Sequence, residues 1–202
     1  MKIICIGRNY AEHAAELNNE VPSQPLIFMK PDTSLLRTSD FYFPSFTNDL
    51  HYECELVFRV CKEGKNIPEK FALKYVDKVT VGIDFTARDL QEDCKKKGHP
   101  WERAKSFDNS AVVGEFKNIS DFIDQPSYLF SFQKNQLTVQ EGNSANMIFS
   151  LSAIISNVSE FVTLKQGDLI FTGTPKGVGP AAIGDKLEAF LFDEKLLSIL
   201  VK

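Results

Sequence analysis

Along the chain, short apolar runs alternate with polar turns at a spacing that predicts many brief strands and few helices. Ile3-Ile4-Cys5-Ile6 predicts an opening strand over 2–6, closed by a turn at Gly7-Arg8-Asn9. Tyr10 to Leu17 follows as a short helix with Asn9 at its N-cap. Leu26-Ile27-Phe28-Met29 is apolar throughout and predicts a buried strand ending at Lys30-Pro31. Leu56 to Val60, rich in β-branched and aromatic residues, predicts another strand. A helix over 68–77, with Pro68 near its first turn, leads to a strand over 78–86. Thr86 to Lys97 is helical and polar on one side, and Gly98 to Asp108 is a loop holding the single tryptophan. A strand over 111–117 is followed by a strand pair over 127–140 turning at Lys134-Asn135. Ile154, Ile155, Val158 and Phe161 fall at helical spacing over 152–161. Leu169-Ile170-Phe171 is a buried strand that delivers the loop Thr172 to Gly179, and strands over 186–192 and 196–201 close the chain.

No repeat, low-complexity segment or linker interrupts this pattern, so one domain over 1–202 is expected. Hydrophobic content of 43% and charged content of 25% are those of a soluble globular protein. A net charge of −4, with no basic cluster beyond the triplet Lys95-Lys96-Lys97, argues against a nucleic-acid surface. No stretch approaches the ~18–20 apolar residues of a membrane span. Met1 to Gly7 has no h-region of useful length and no cleavage site, and is expected to be a strand, not a signal peptide. Cys5, Cys54, Cys61 and Cys94 show no CxxC pair and no Cys/His zinc spacing, which predicts reduced thiols in a cytoplasmic protein.

The chemistry concentrates in a few places. Glu53 and Glu55 stand at i, i+2 at the head of the strand through Val60, a spacing that puts both carboxylates on one face. Like charges so placed need water, a basic partner or a cation between them, and Mg2+ or Mn2+ takes carboxylate oxygens. The alternative is an acidic solvent face. Asp84 lies among Val81, Ile83 and Phe85, and burying it as an ion costs several kcal/mol unless it is paired or metal-bound. That makes it the candidate third ligand, against an outward-pointing side chain. His13 and Glu16, i and i+3 on a helix, are neighbours, either a surface pair or a base oriented by a carboxylate. Lys30 at a strand end is either solvated or a positive lining for an anion, and Lys105 could stabilise developing negative charge beside acidic groups. Thr172-Gly173-Thr174-Pro175-Lys176-Gly177-Val178-Gly179 lacks the P-loop order; its hydroxyls and backbone N–H groups suit a small carboxylate or oxyanion, or the glycines serve only the turn.

Read together, Ile6-Gly7-Arg8-Asn9-Tyr10-Ala11-Glu12-His13, Phe28-Met29-Lys30-Pro31, His51-Tyr52-Glu53-Cys54-Glu55-Leu56, Asp84-Phe85-Thr86-Ala87-Arg88-Asp89-Leu90-Gln91, Lys95-Lys96-Lys97-Gly98-His99-Pro100-Trp101, Ala104-Lys105-Ser106-Phe107-Asp108 and the 172–179 loop resemble the fumarylacetoacetate hydrolase family. They resemble in particular its short acylpyruvase/oxaloacetate decarboxylase branch. The resemblance implies a β-rich α+β fold, a mixed β-sandwich or roll with a short N-terminal lid helix, assembled as a homodimer. It implies Mg2+ or Mn2+ on Glu53, Glu55 and Asp84, and His13, Glu16 and Lys105 as catalytic groups. Arg8, Lys30, Gln91 and Thr174 would contact the substrate or complete the pocket. The implied reaction cleaves a C–C bond in a small 2,4-diketo or β-keto acid and releases pyruvate. In it His13 activates water against an acylpyruvate, whereas oxaloacetate loses CO2 without one. Two other readings stand beside it: a 2-hydroxyhepta-2,4-diene-1,7-dioate-type isomerase or hydratase of aromatic catabolism, and a non-catalytic metal- or metabolite-binding protein.

Overall fold

The computed structural model describes residues 1–16 and 20–202. The chain opens with β1 (Ile3–Gly7), the short helix α1 (Ala11–Glu16) and β2 (Leu26–Lys30). Next come β3 (Asp40–Phe41), β4 (Leu50–Tyr52), β5 (Cys54–Val60), β6 (Val76–Asp84) and β7 (Thr86–Ala87). Helices α2 (Arg88–Lys97) and α3 (Glu102–Lys105) lead to β8 (Ala111–Val113) and β9 (Lys117–Asn118). The hairpin β10 (Leu129–Lys134) and β11 (Leu137–Asn143) precedes α4 (Leu151–Phe161). The chain closes with β12 (Leu169–Phe171), β13 (Gly179–Pro180), β14 (Lys186–Leu191) and β15 (Glu194–Val201).

This is the expected β-rich α+β architecture. Among the described residues, a seven-stranded sheet runs β2-β1-β12-β5-β6-β8, with β9 on the far half of β6. A five-stranded sheet runs β11-β10-β14-β15-β3, and β13-β4-β7 form a small third one. The pairing is mixed: β1 with β12 and β3 with β15 are parallel, and the other pairs are antiparallel. Strand alternation builds the core. Ile4, Ile6, Leu56, Phe58, Val79, Val81 and Ile83 pack with Phe132, Leu187, Ala189 and Ile199 of the five-stranded sheet. Residues of the opposite parity, Ile3, Cys5, Val57 and Phe171, pack on the other face against Phe28 and Val113. Among the described residues no helix is long and apolar enough to cross a membrane.

Several local expectations change. The helix expected over 68–77 is a 3-10 segment, Glu69–Tyr75, because Val76 already belongs to β6. The loop expected over 98–108 contains α3, one turn that ends on Lys105. Leu17, the last residue of the expected N-terminal helix, lies outside the described residues. Asn9 does not use its side chain to cap α1. Its Oδ1 accepts from the Phe149 N–H at 2.7 Å, and its amide nitrogen donates to the carbonyls of Thr172 at 2.8 Å and Phe149 at 3.1 Å. A buried amide with three bonds to chain segments more than a hundred residues away fixes where α1 begins.

Candidate active site

The site grows from one register. β5 and β6 pair antiparallel with Glu55 opposite Gly82, and the Asp84 N–H donates to the Glu53 carbonyl at 2.8 Å. Glu53 itself is the single residue between β4 and β5, not part of the strand. Glu53, Glu55 and Asp84 share parity across the pair and project from the same face, all three buried. One oxygen from each lies within 4.8 Å of the others.

Cations surround this acidic centre. Lys105, delivered by α3, sits 2.7 Å from Glu53 Oε2 and 2.7 Å from Asp84 Oδ2. Arg88, the first residue of α2, donates to Glu53 Oε1 at 2.7 Å and to Gln91 Oε1 at 2.6 Å. Lys30 does not line the pocket. Its fully buried ammonium lies beneath the site, 2.7 Å from Asp84 Oδ1, and donates to the carbonyls of Lys105 and Ser110 and to Ser110 Oγ.

Charge decides the state of each acid. Burial alone would raise the Glu53 carboxyl, but Lys105 and Arg88 outweigh it and hold Glu53 ionised, well below the usual range. Glu55 goes the other way. Burial pushes it well above its ordinary value, Asp84 and Glu53 push further, and the Gly173 N–H at 2.6 Å is too little to restore it. Burial lowers Lys105, yet Asp84 and Glu53 return it above its ordinary value, so it stays charged. An all-oxygen donor set and an acid that resists ionisation beside two others together fit a hard divalent cation.

The second element is the base. His13 is buried with Nδ1 3.3 Å from Glu16 Oε2. Burial lowers its pKa against the opposing pull of Glu53 and Glu16, which leaves a neutral imidazole near pH 7. Glu16 is held in turn by the Gly177 N–H at 3.1 Å, and Glu12 by Lys176 at 3.0 Å. Two N–H groups of the 172–179 loop are therefore taken by the chain's own carboxylates and are not held out to a ligand. Gly173 and Gly177 direct theirs at Glu55 and Glu16. Gly173 has φ +97°, and a Cβ there would stand 2.7 Å from the Asn9 Cβ, so only glycine brings this N–H to the carboxylate. The Thr174 hydroxyl donates to the Cys54 carbonyl at 2.8 Å and accepts from Gln140 at 2.8 Å.

One pocket is lined by Arg8, His13, Glu53, Glu55, Asp84, Gln91, Lys105 and Thr174, with Phe28, Trp101, Arg88 and Lys95 on its walls. Two participants escaped sequence reasoning. Arg88 had a legible signal, since it stands three residues before Gln91 and shares its helix face. Gln140, which clamps Cys54 N–H to Thr174 and Pro175 from β11, had none.

The family described as fumarylacetoacetate (FAA) hydrolase C-terminal matches residues 2–198. A mitochondrial oxaloacetate tautomerase of Mus musculus is 45% identical over 188 residues, covering 93% of this chain and 85% of that protein. The crystal structure of fumarylpyruvate hydrolase from Pseudomonas aeruginosa, in complex with Mn2+ and pyruvate, is similar with a TM-score of 0.93 and 35% identity, over 100% of this chain and 89% of that one. A 5-carboxymethyl-2-hydroxymuconate delta-isomerase from Mycobacterium smegmatis is similar with a TM-score of 0.85 and 30% identity, over 99% of this chain and 78% of that one.

Proposed function

The chain belongs to the fumarylacetoacetate hydrolase family, and we propose that it is a Mg2+- or Mn2+-dependent enzyme that cleaves a C–C bond in small acylpyruvates or oxaloacetate and releases pyruvate. The observation that carries this reading is a neutral, carboxylate-held His13 opening on the same pocket as three buried acids. In it Glu53, Glu55 and Asp84 hold the cation, which when bound supplies Lewis-acid polarisation of the substrate's 2-oxo group.

The chain's own residues do the rest. For an acylpyruvate, His13 takes a proton from water, and the resulting hydroxide adds to the distal carbonyl. The C3–C4 bond breaks, its electron pair passes to the pyruvate fragment as an enolate, and C3 is then protonated; the products are a carboxylic acid and pyruvate. The charged Lys105, buried and fixed between Glu53 and Asp84, favours the enolate's negative charge. Glu16 orients the imidazole and stabilises it once protonated. Oxaloacetate needs no attacking water, since CO2 leaves directly.

A second reading, keto–enol interconversion of oxaloacetate, is favoured by the 45% identity to a protein of that name. It asks of His13 only that it move a proton between C3 and the 2-oxo oxygen. We take residues 1–202 as one catalytic unit, a homodimer in a reducing compartment, in keeping with the free cysteines among the described residues.

The test is pyruvate release from acetylpyruvate and from oxaloacetate in parallel, with Mg2+, with Mn2+ and with excess chelator, while the enol absorbance of oxaloacetate is followed. Metal-dependent pyruvate is the expected result. Rapid loss of the enol signal without pyruvate would move the assignment to the tautomerase, and silence in both assays would leave the isomerase or a binding protein.

A pH profile follows from His13. Its pKa lies below the ordinary 6.5, and only the neutral ring accepts a proton, so kcat/KM at saturating cation is expected to rise with pH through a limb centred below 6.5. That limb should vanish from the residual activity of His13→Gln. An acid limb centred above pH 7 in the unaltered enzyme would remove His13 from the role of base.

A further inference from the structure

β11 lies at the edge of the five-stranded sheet, exposed or half-buried at every position but one, and the buried position is polar. Gln140 is 2% exposed. Its pairing with β10 shows why it points inward. Phe132 faces Gln140 and Gln133 faces Thr138, so Val139 is an extra residue, a β-bulge of the kind that re-aims a side chain. The side chain so aimed fills a gap in the other large sheet. β12 pairs with β5 as far as Phe171 and Val57, and the Thr172 N–H still donates to the Leu56 carbonyl at 3.1 Å. In that register the next ladder pair would join Thr174 to Cys54. Gly173, at φ +97°, turns the chain away before it forms. Gln140 takes its place: Oε1 accepts from the Cys54 N–H at 2.9 Å, and the amide nitrogen donates to Thr174 Oγ1 at 2.8 Å and to the Pro175 carbonyl at 3.0 Å.

The two ends of the departing loop are held differently. Gly173, next to the Thr172 ladder bond, gives its N–H to Glu55. Gly177, four residues on, gives its N–H to Glu16, and Glu16 meets His13. Between them the loop rests on β11. Besides the Gln140 bonds, a Cβ on Gly177 (φ +95°) would collide with the Val139 carbonyl and lie 3.3 Å from the Gln140 Cγ. We infer that Gln140 is a positioning residue for the base: it seats the 174–177 segment on β11, which fixes Glu16 and through it the His13 ring, while Thr172 pins the cation end independently. Among the described residues no hydrogen bond joins Gln140 to Glu16 or His13, so it acts through the loop. A glutamine that only satisfies the Cys54 N–H predicts a loss of stability and nothing else.

Gln140→Met keeps the length of the side chain and removes all three bonds. With three histidines in the chain, ring 15N spectra give a readout that needs no turnover. They are recorded in chelator at a pH where the rings are neutral, and His13 is identified by its loss in His13→Gln. The unaltered protein should show the Nδ1–H tautomer that a carboxylate on Nδ1 selects, and Gln140→Met should shift toward the mixed tautomers of a free imidazole. Calorimetric Mg2+ affinity should be kept. The kinetic readout rests on the hydrolytic reading above: kcat for acetylpyruvate should fall about ten- to a hundredfold with little change in KM, the cost of a misplaced group. In a Glu16→Ala background the same substitution should cost about twofold or less, because the contact it acts through is gone. Ring signals that do not move, or losses that multiply in the double variant, would overturn the inference. Loss of Mg2+ affinity would put Gln140 with the cation site and overturn it equally. If the unaltered protein does not hydrolyse acetylpyruvate, the hydrolytic reading falls, and the ring signals still decide the role of Gln140. Gly177→Ala lifts the loop from β11 with Gln140 intact and should reproduce the ring shift; it carries the test if Gln140→Met does not fold.

Discussion

Glu55→Gln is expected to raise the melting temperature of the metal-free protein and to abolish the further rise that Mg2+ or Mn2+ gives. The reason is the asymmetry of the three acids. Glu55 is buried beside two carboxylates, and among the described residues its one bonded partner is the Gly173 N–H. Without a cation its charge is a liability, so a neutral isostere relieves it. Each kcal/mol relieved is about 2–4 °C in a chain of this size. Asp84→Asn should act in the opposite direction. Its carboxylate faces Lys105 on one oxygen and Lys30 on the other, both buried. An amide can accept from one ammonium but turns an N–H2 toward the other. Breaking a buried pair in this way costs about 3–5 kcal/mol, or roughly 10 °C. Both variants lose metal-dependent turnover, but they part in stability. Two melts in chelator decide it; equal destabilisation would mean that Glu55 is not held against its charge.

The same asymmetry sets a pH signature. Because Glu55 in the folded state holds its proton above the ordinary 4.5, the folded protein binds more protons than the unfolded one between 4.5 and that raised value. The Glu55 contribution to metal-free stability therefore falls as pH rises through that window. Glu53, held below 4.5, contributes stability that is present above 4.5 and lost as pH falls through its folded pKa. In Glu55→Gln the first of these slopes disappears.

His13→Ala is expected to lower kcat for acylpyruvate hydrolysis by about 10²- to 10⁴-fold, the range of a lost general base. The rise in melting temperature with Mg2+ should survive, since His13 donates nothing to the acidic centre. Loss of CO2 from oxaloacetate should suffer less, because it needs no activated water. Glu16→Gln should cost less than His13→Ala, since the ring remains and only its orientation and charge partner weaken. Equal losses on both substrates would count against water activation, and loss of the metal effect would place His13 in the cation site instead.

Much of this architecture is legible in the sequence. The near-continuous apolar runs of Ile3 to Ile6 and Leu56 to Val60 marked strands with two buried faces, and the i, i+2 spacing of Glu53 and Glu55 marked a shared face. His13 and Glu16 at i, i+3 were a neighbouring pair on any helix. The family blocks placed Asp84 and Lys105 beside them. What these stretches share is that their geometry is local, set by the strand or helix period within a few residues.

Everything that closes the site is long-range. The fate of the loop N–H groups at Gly173 and Gly177, the anchoring of Asn9 to Phe149 and Thr172, and the clamp of Gln140 on Cys54 join residues 86 to 163 apart along the chain. From its place at a strand end Lys30 could be either solvated or a positive lining, and the packing of β2 against α3 puts it underneath the site. The sequence by itself determined which residues could carry acid, base and cation chemistry, because composition and period are properties of short windows. Only the tertiary structure decided which N–H meets which carboxylate and which lysine lies beneath the acids. A side chain's charge partner is set by the sheet register and helix docking that bring distant segments together, and no local pattern encodes those distances.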